Sequence, residues 1–226
     1  MSATEIDLHH SITGPDSGTP VVFTHGWLNT SDVWSGVVAA IGDDARSLTW
    51  DLRGHGRSGA AEPGKYDRSY ALGDLDRMVD MVGSPAILAG HSLGGYLSLA
   101  YALKHPEKVA GLVLVAAGPG FRNPESREQW NDAVRSSAEK VDIPDGQEEI
   151  SVHVDSMVID RLDEITVPTV TVVGERDKRF LASADVFDKY LNVTARMVVE
   201  DGGHMVHAKH PDEVAGAVQL LIQEVG

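Results

Sequence analysis

The stretch from Val82 to Tyr101 constrains this chain more than any other, because a short apolar run, Ala86-Ile87-Leu88-Ala89, stops abruptly at Gly90-His91-Ser92-Leu93-Gly94 and a helical pattern begins at once. That order predicts strand, sharp turn, helix. The five residues fit G-x-S-x-G, a turn that lifts one serine hydroxyl clear of the end of a sheet. Each glycine then has a steric reason. A serine held there at positive φ costs on the order of 1–3 kcal/mol of backbone strain, and the turn closes only if the residues two before and two after it lack a Cβ. Gly90 and Gly94 meet that condition. Behind the turn Leu93, Leu97, Ala100 and Leu103 keep helical spacing, so the first-turn N–H groups aim partial positive charge beside Ser92. A serine in a glycine-rich turn is also ordinary loop chemistry; what gives the motif weight is a carboxylate and a base downstream.

The rest of the chain alternates short apolar strands with helices. Ile6–Ser11 reads as an edge strand and Val21–Phe23 as a central one, followed by His25-Gly26-Trp27. Thr30-Ser31 caps a helix carrying Val33, Trp34, Val37, Val38 and Ile41 on one face. Ser47–Trp50 is the next strand, and it runs into the glycine-punctuated loop Asp51-Leu52-Arg53-Gly54-His55-Gly56-Arg57-Ser58. A helix follows from about Ser69 to Val82. Beyond the turn at Ser92, strands are expected at Val109–Ala116, Val167–Val173 and Arg196–Val199, with helices near Ala184–Leu191 and from Pro211 onward. The pattern predicts one α/β domain over 1–226, a mostly parallel sheet covered by helices on both faces. Between Gly118 and Ile165 the rhythm breaks into prolines, mixed charge and two helical candidates, about 126–141 and 147–162, which reads as a short helical cap inserted into the domain.

Composition narrows the function. A net charge of −15 argues against nucleic acid and anionic membranes, which need a basic face. The absence of cysteine removes disulfides, thiolate catalysis and cysteine-ligated metals together. The first residues, Met1 to Leu8, lack a basic region followed by an apolar run, and no apolar stretch approaches membrane-spanning length, so a cytoplasmic location is expected.

In parallel sheets, sites form at the carboxyl ends of strands. The residues just past the strands are His25-Gly26-Trp27, Asp51, Ser92, Gly118, Asp177 and His204. Ser92 needs a base, and an imidazole suits that role near neutral pH. His204 is chosen because Gly202-Gly203 suits a loop that swings a ring toward Ser92, whereas His207 and His210 fall where the last helix is being set up. Read as a metal site, His204-x-x-His207-x-x-His210 lacks both H-E-x-x-H and a carboxylate ligand pattern, so neither metal nor organic cofactor is expected. The imidazole in turn needs a carboxylate, for which Asp177 is placed at a strand end, with Glu175 and Asp201 as competitors.

With these residues in view, the chain from Val21 to its C-terminus resembles the α/β-hydrolase superfamily. His25-Gly26-Trp27 is similar to that family's first oxyanion segment, Asp51–Ser58 to its glycine-rich loop, Gly90–Gly94 to the nucleophile elbow and Gly202-Gly203-His204 to the turn bearing the base. The resemblance implies a Ser92-Asp177-His204 triad and an oxyanion hole made by the backbone N–H groups of Trp27 and Leu93. His25, His55 and His91 are then structural, and Asp51, Arg53 and Arg57 hold their loop together. The implied reaction is hydrolysis of a small-to-medium carboxylic ester or lactone through an acyl-serine. A C–C bond hydrolase or lyase, a cofactor-free perhydrolase, and a ligand sensor that retains the triad stay open as alternatives. Candidate pocket residues are Leu28, Phe121, Arg122, Trp130, Met157 and Met205. The apolar stripe of the cap serves either to pack it onto the sheet or to roof the pocket, and Arg122 either recruits a substrate carboxylate or is a solvated surface arginine.

Overall fold

The computed structural model describes residues 6–226, so residues 1–5, on which part of the reading of the N-terminus rests, lie outside it. Seven strands form one sheet: β1 (His10–Thr13), β2 (Thr19–Thr24), β3 (Ala45–Trp50), β4 (Ala86–His91), β5 (Val109–Val115), β6 (Thr169–Gly174) and β7 (Val193–Val199). Their spatial order is β1-β3-β2-β4-β5-β6-β7, with β1 antiparallel to β3 and every other pairing parallel. The chain enters at the edge strand β1; the parallel part starts at β2, steps to β3 on one side, then crosses back to β4 and runs on to β7 on the other.

The described residues form eight helices, α1 (Ser35–Ile41), α2 (Arg68–Val82), α3 (Leu93–Lys104), α4 (Pro124–Ala138), α5 (Met157–Asp160), α6 (Lys178–Tyr190), α7 (Val206–Lys209) and α8 (Pro211–Val225), with short 3-10 turns between. Strand residues alternate between faces, and the two cores follow that alternation. Val21, Phe23, Ile87, Ala89, Val113 and Val115 pack with Trp34 in the turn before α1, with α1 through Val37 and with α8 through Val214, Val218 and Leu221. Their neighbours Val22, Leu88, Leu112 and Leu114 pack with α2 and α3 through Leu75, Met78, Leu97 and Ala100. Central strands buried on both faces explain the continuous apolar runs in the sequence.

Several boundaries depart from the expected ones. The edge strand is His10–Thr13 rather than Ile6–Ser11, because its pairing with Ser47–Trp50 begins only at His10. The helix expected near Ala184 starts earlier, at Lys178, directly after Asp177. The second cap helix, expected over 147–162, is broken into a 3-10 turn at Gln147–Ser151, an extended stretch, and the single turn α5. The cause is a reciprocal amide clamp: Asn131 Nδ2 donates to the His153 carbonyl (3.0 Å), and the His153 N–H donates to Asn131 Oδ1 (2.9 Å). These bonds take the backbone groups a helix would have used. The first cap helix, α4, is capped by Asn123, whose side chain accepts from the Ser126 N–H, with Pro124 at the first helical position.

Among the described residues, no helix is long and apolar enough to cross a membrane.

Candidate active site

Ser92 sits between β4 and α3 with φ 51 and ψ −112, a backbone geometry that L-residues rarely adopt. Its N–H donates to the Val115 carbonyl on the neighbouring strand (3.0 Å), which holds the turn to the sheet. A Cβ on Gly90 would lie 2.4 Å from the Gly94 carbonyl carbon, and one on Gly94 would lie 2.2 Å from the Thr24 oxygen. Neither position has room for any other residue. Leu93 is the first residue of α3, so its N–H is one of the four without an intrahelical acceptor. A Cβ on Gly26 would lie 3.3 Å from Ser92 Cβ, so the Gly26–Trp27 peptide comes directly beside the serine.

The carboxylate and the imidazole come from the loops that follow β6 and β7. Asp177 stands three residues beyond β6 and His204 five beyond β7. Their loops interlock, since a Cβ on Gly174 would fall 2.4 Å from the Gly202 backbone and the Arg176 N–H donates to the Gly202 carbonyl (2.9 Å). His204 Nδ1 then meets Asp177 Oδ2 at 2.7 Å. With Nδ1 held by the carboxylate, Nε2 is left to exchange a proton. The ring also stacks on Phe180, with centroids 4.9 Å apart and planes within 22°. Asp177 is 9% exposed and His204 41%, so the carboxylate is shielded while the imidazole stays open. The His204 carbonyl accepts from Nε2 of His91 (2.9 Å), the residue preceding Ser92, and this ties the loop of His204 to the turn of Ser92.

The competing residues are otherwise engaged. Asp201 is ion-paired with Arg176, and its N–H donates to Glu175 (3.2 Å). His210 lies 3.7 Å from Glu213. His207 is fully buried, packed between the tilted rings of His91 (4.1 Å) and Trp34 (4.6 Å). Burial, with the nearby His204 adding to it, lowers its pKa to about 3. His25 is locked by its neighbours: Nε2 accepts from the Leu52 N–H (2.9 Å) and Nδ1 donates to the Gly26 carbonyl (2.7 Å). Burial, then His55, lowers its pKa to about 3. Asp51 accepts from the N–H groups of Ser31 (2.6 Å) and Arg57 (2.9 Å), and Arg53 pairs with buried Asp74 (2.7 Å). These bonds brace the glycine-rich loop beneath the His25 segment.

A cavity of about 360 Å³ opens beside Ser92 and Leu93. Of the six candidate pocket residues, Phe121 and Trp130 line it. The other four lie elsewhere. Leu28 is 42% exposed at φ 61, in the turn after Trp27. Arg122 is taken up by Asp160 (2.9 Å), the Ile159 carbonyl (2.8 Å) and the face of Tyr190. Met157 packs against the core on the far side of the cap, by a separate groove with Leu72 and Leu103. Met205 is half-buried at the start of α7, where its carbonyl accepts from Ala208.

Most of the lining was not nominated from sequence, and Tyr96, His153, Arg179 and Phe180 are the large or charged side chains among those residues. Tyr96, one turn into α3, reads as core; its hydroxyl accepts from Arg68 (2.8 Å), which also grips Asp155 through two bonds (2.8 and 2.6 Å). His153 is 8% exposed, with its ring edge-on to Tyr96 at 4.3 Å. Burial, then the charge of Arg68, lowers its pKa to about 4, so the imidazole is neutral at pH 7. Arg179 and Phe180 could have been found from one signal, the start of α6 immediately after Asp177.

The comparisons with known proteins agree with this architecture. A Bacillus subtilis (strain 168) protein provisionally named 2-succinyl-6-hydroxy-2,4-cyclohexadiene-1-carboxylate synthase is 24% identical, the alignment covering 88% of each chain. A pimeloyl-[acyl-carrier protein] methyl ester esterase from Nitrosomonas europaea is 37% identical over 118 residues, which span 50% of this chain and 42% of that protein. The enol-lactonase structure from Burkholderia xenovorans LB400 superposes with a TM-score of 0.79 at 20% identity, covering 96% of this chain and 97% of its own. The family model for the alpha/beta hydrolase fold matches residues 19–159, and with the sheet order above it shows that the chain belongs to the alpha/beta hydrolase fold family.

Proposed function

We propose that the protein is a serine hydrolase that cleaves small-to-medium carboxylic esters or lactones, with Ser92 as nucleophile, His204 as base and Asp177 as its orienting carboxylate. The 2.7 Å contact between His204 and Asp177, carried by a loop tied to the residue before Ser92, is the observation that supports it most. In this mechanism His204 Nε2 takes the proton from Ser92 Oγ as that oxygen attacks the acyl carbonyl. The carbonyl oxygen becomes an oxyanion, met by the N–H groups of Leu93 and Trp27. The tetrahedral intermediate collapses, and the alkoxide leaves as an alcohol with the proton from His204. Water, deprotonated by His204, then attacks the acyl-serine and releases the acid, so that ester and water become acid and alcohol with the enzyme regenerated. The setting is cytoplasmic and the substrate a small soluble molecule, in keeping with the acidic surface.

The test is incubation with p-nitrophenyl butyrate, acid quenching and mass spectrometry of the digested protein. A butyryl group on the peptide containing Ser92, with sustained release of p-nitrophenol that Ser92→Ala abolishes, supports the reading. Turnover that survives Ser92→Ala would sink it. The Bacillus relative, aligned over 88% of its length and named a synthase, favours a second reading in which the same three residues serve a reaction without net hydrolysis. Esters and lactones would then turn over poorly while Ser92 still acylates.

A further inference from the structure

The cavity beside Ser92 is mostly apolar in its walls, yet its rim carries a cation that has no carboxylate partner among the described residues. Arg179 lines the cavity and is exposed, with its guanidinium over the face of Trp130 at 5.5 Å from the ring centroid. Every other arginine of the described residues except Arg127 has a carboxylate partner. In a chain with 34 acidic residues against 19 basic ones, an arginine left unpaired beside the nucleophile's cavity stands apart. Its position is also electrostatically unfavourable in the free protein. It occupies the first turn of α6, next to Lys178 and with no acidic residue in that turn, at the positive end of the helix dipole.

A second, independent feature belongs to the same cavity. His153 lines its wall, is more than nine-tenths buried, and has an Nδ1 with no hydrogen-bond partner. An orphaned lone pair is tolerated better than an orphaned N–H, so the proton belongs on Nε2 and the ring can donate one hydrogen bond. Gln129 and Ser183 add polar groups to the lining. An uncharged alkyl chain would use none of these groups.

Resting on the hydrolase reading above, we propose that the acyl portion of the substrate carries a carboxylate, which Arg179 binds at the cavity rim while the ester lies at Ser92. The planar guanidinium, already oriented by Trp130, suits a carboxylate's two oxygens. Stacking on the indole also removes part of its hydration before the substrate arrives. The volume of about 360 Å³ admits a short dicarboxylic half-ester and excludes a long chain. Arg122, the arginine singled out from sequence for this role, is neutralised by Asp160 outside the cavity.

The experiment compares monomethyl glutarate with methyl pentanoate, which differ only in carrying a carboxylate or a methyl at the same chain position. Methanol release gives kcat/KM for each, and a thermal-shift titration with glutarate and with pentanamide reports binding without catalysis. The expected result is a preference for monomethyl glutarate of about fivefold or more, shrinking as salt is raised. Arg179→Gln brings the ratio close to one and abolishes the glutarate shift; Arg179→Lys restores part of both; Arg122→Gln leaves the ratio as it was. Equal kcat/KM for the two esters with no glutarate-specific shift would overturn the proposal while leaving the hydrolase reading intact. If neither ester turns over, the hydrolase reading fails on its own. An Arg179-dependent glutarate shift would still support the carboxylate site in that case, and its absence would overturn it.

Discussion

Gly174, the last residue of β6, and Gly202, three residues past β7, touch so closely that a single Cβ on Gly174 would stand 2.4 Å from the carbonyl of its neighbour. This contact sets the spacing between the loop that carries Asp177 and the loop that carries His204. Gly174→Ala must therefore push the two loops apart. The expected outcome is a loss of about a hundredfold in kcat and about 1–3 kcal/mol in stability by urea unfolding. Gly216→Ala, on α8 where a Cβ meets nothing within 4 Å, is the control and should cost neither. Wild-type kcat in Gly174→Ala would mean that the spacing of these loops does not govern the reaction.

The two acids near His204 should differ sharply on neutralisation. Asp177→Asn removes the 2.7 Å partner of Nδ1 and should lower kcat by about 10³–10⁴. Asp201→Asn breaks only an exposed pair with Arg176 and should change kcat by less than about threefold. Steady-state kinetics on both variants decides, and the reverse ranking would reassign the carboxylate.

Acid should destabilise this protein before its carboxylates titrate. Burial lowers the pKa of His25 and His207 to about 3 and that of His153 to about 4, and lowers His91 well below the ordinary value. In the unfolded chain these rings take up protons near pH ~6.5, while in the folded protein they stay neutral. The unfolded state therefore binds more protons between about pH 6.5 and these lowered values, and stability falls as pH drops through that window. It is fully present above the window and loses nothing further to these groups below it. Urea midpoints at about pH 7 and about pH 5 measure the slope. His207→Phe, which removes a buried ring whose two nitrogens have no partner, should make that slope shallower.

The cavity should cap the acyl chain length. Trp130 closes one side, with its indole N–H donating to the Ser151 carbonyl (3.0 Å) and its face supporting Arg179. Across p-nitrophenyl esters of rising length, kcat/KM should peak at short-to-medium acyl groups. In Trp130→Ala the octanoate-to-butyrate ratio should rise by about fivefold or more. A steady climb into long chains in the wild type, with activation at an oil–water interface, would contradict a cavity of this size limiting the acyl group.

Much of this arrangement was legible along the chain because it depends on local geometry. The turn at Ser92 needs glycines at fixed positions, and strands buried on both faces must be short and apolar, so the sheet, the elbow and the residues at strand ends could be read before any contact was known. Asp177 and His204 could be nominated for the same reason, each lying just past a strand. What distinguished them from Asp201, Glu175, His207 and His210 was the packing of two distant loops, which brings one acid and one imidazole together and occupies or buries the rest. The pocket was the least legible part. Its walls come from the first turn of α3, the start of α6 and a cap whose second helix is unwound by the side chain of Asn131. No periodicity reports a clamp between residues 131 and 153, or that Arg122 meets Asp160 while Arg179 meets no acid. Local sterics belong to the sequence, whereas which charges remain unpaired is a property of the whole fold, since each pairing depends on where every other element has come to rest.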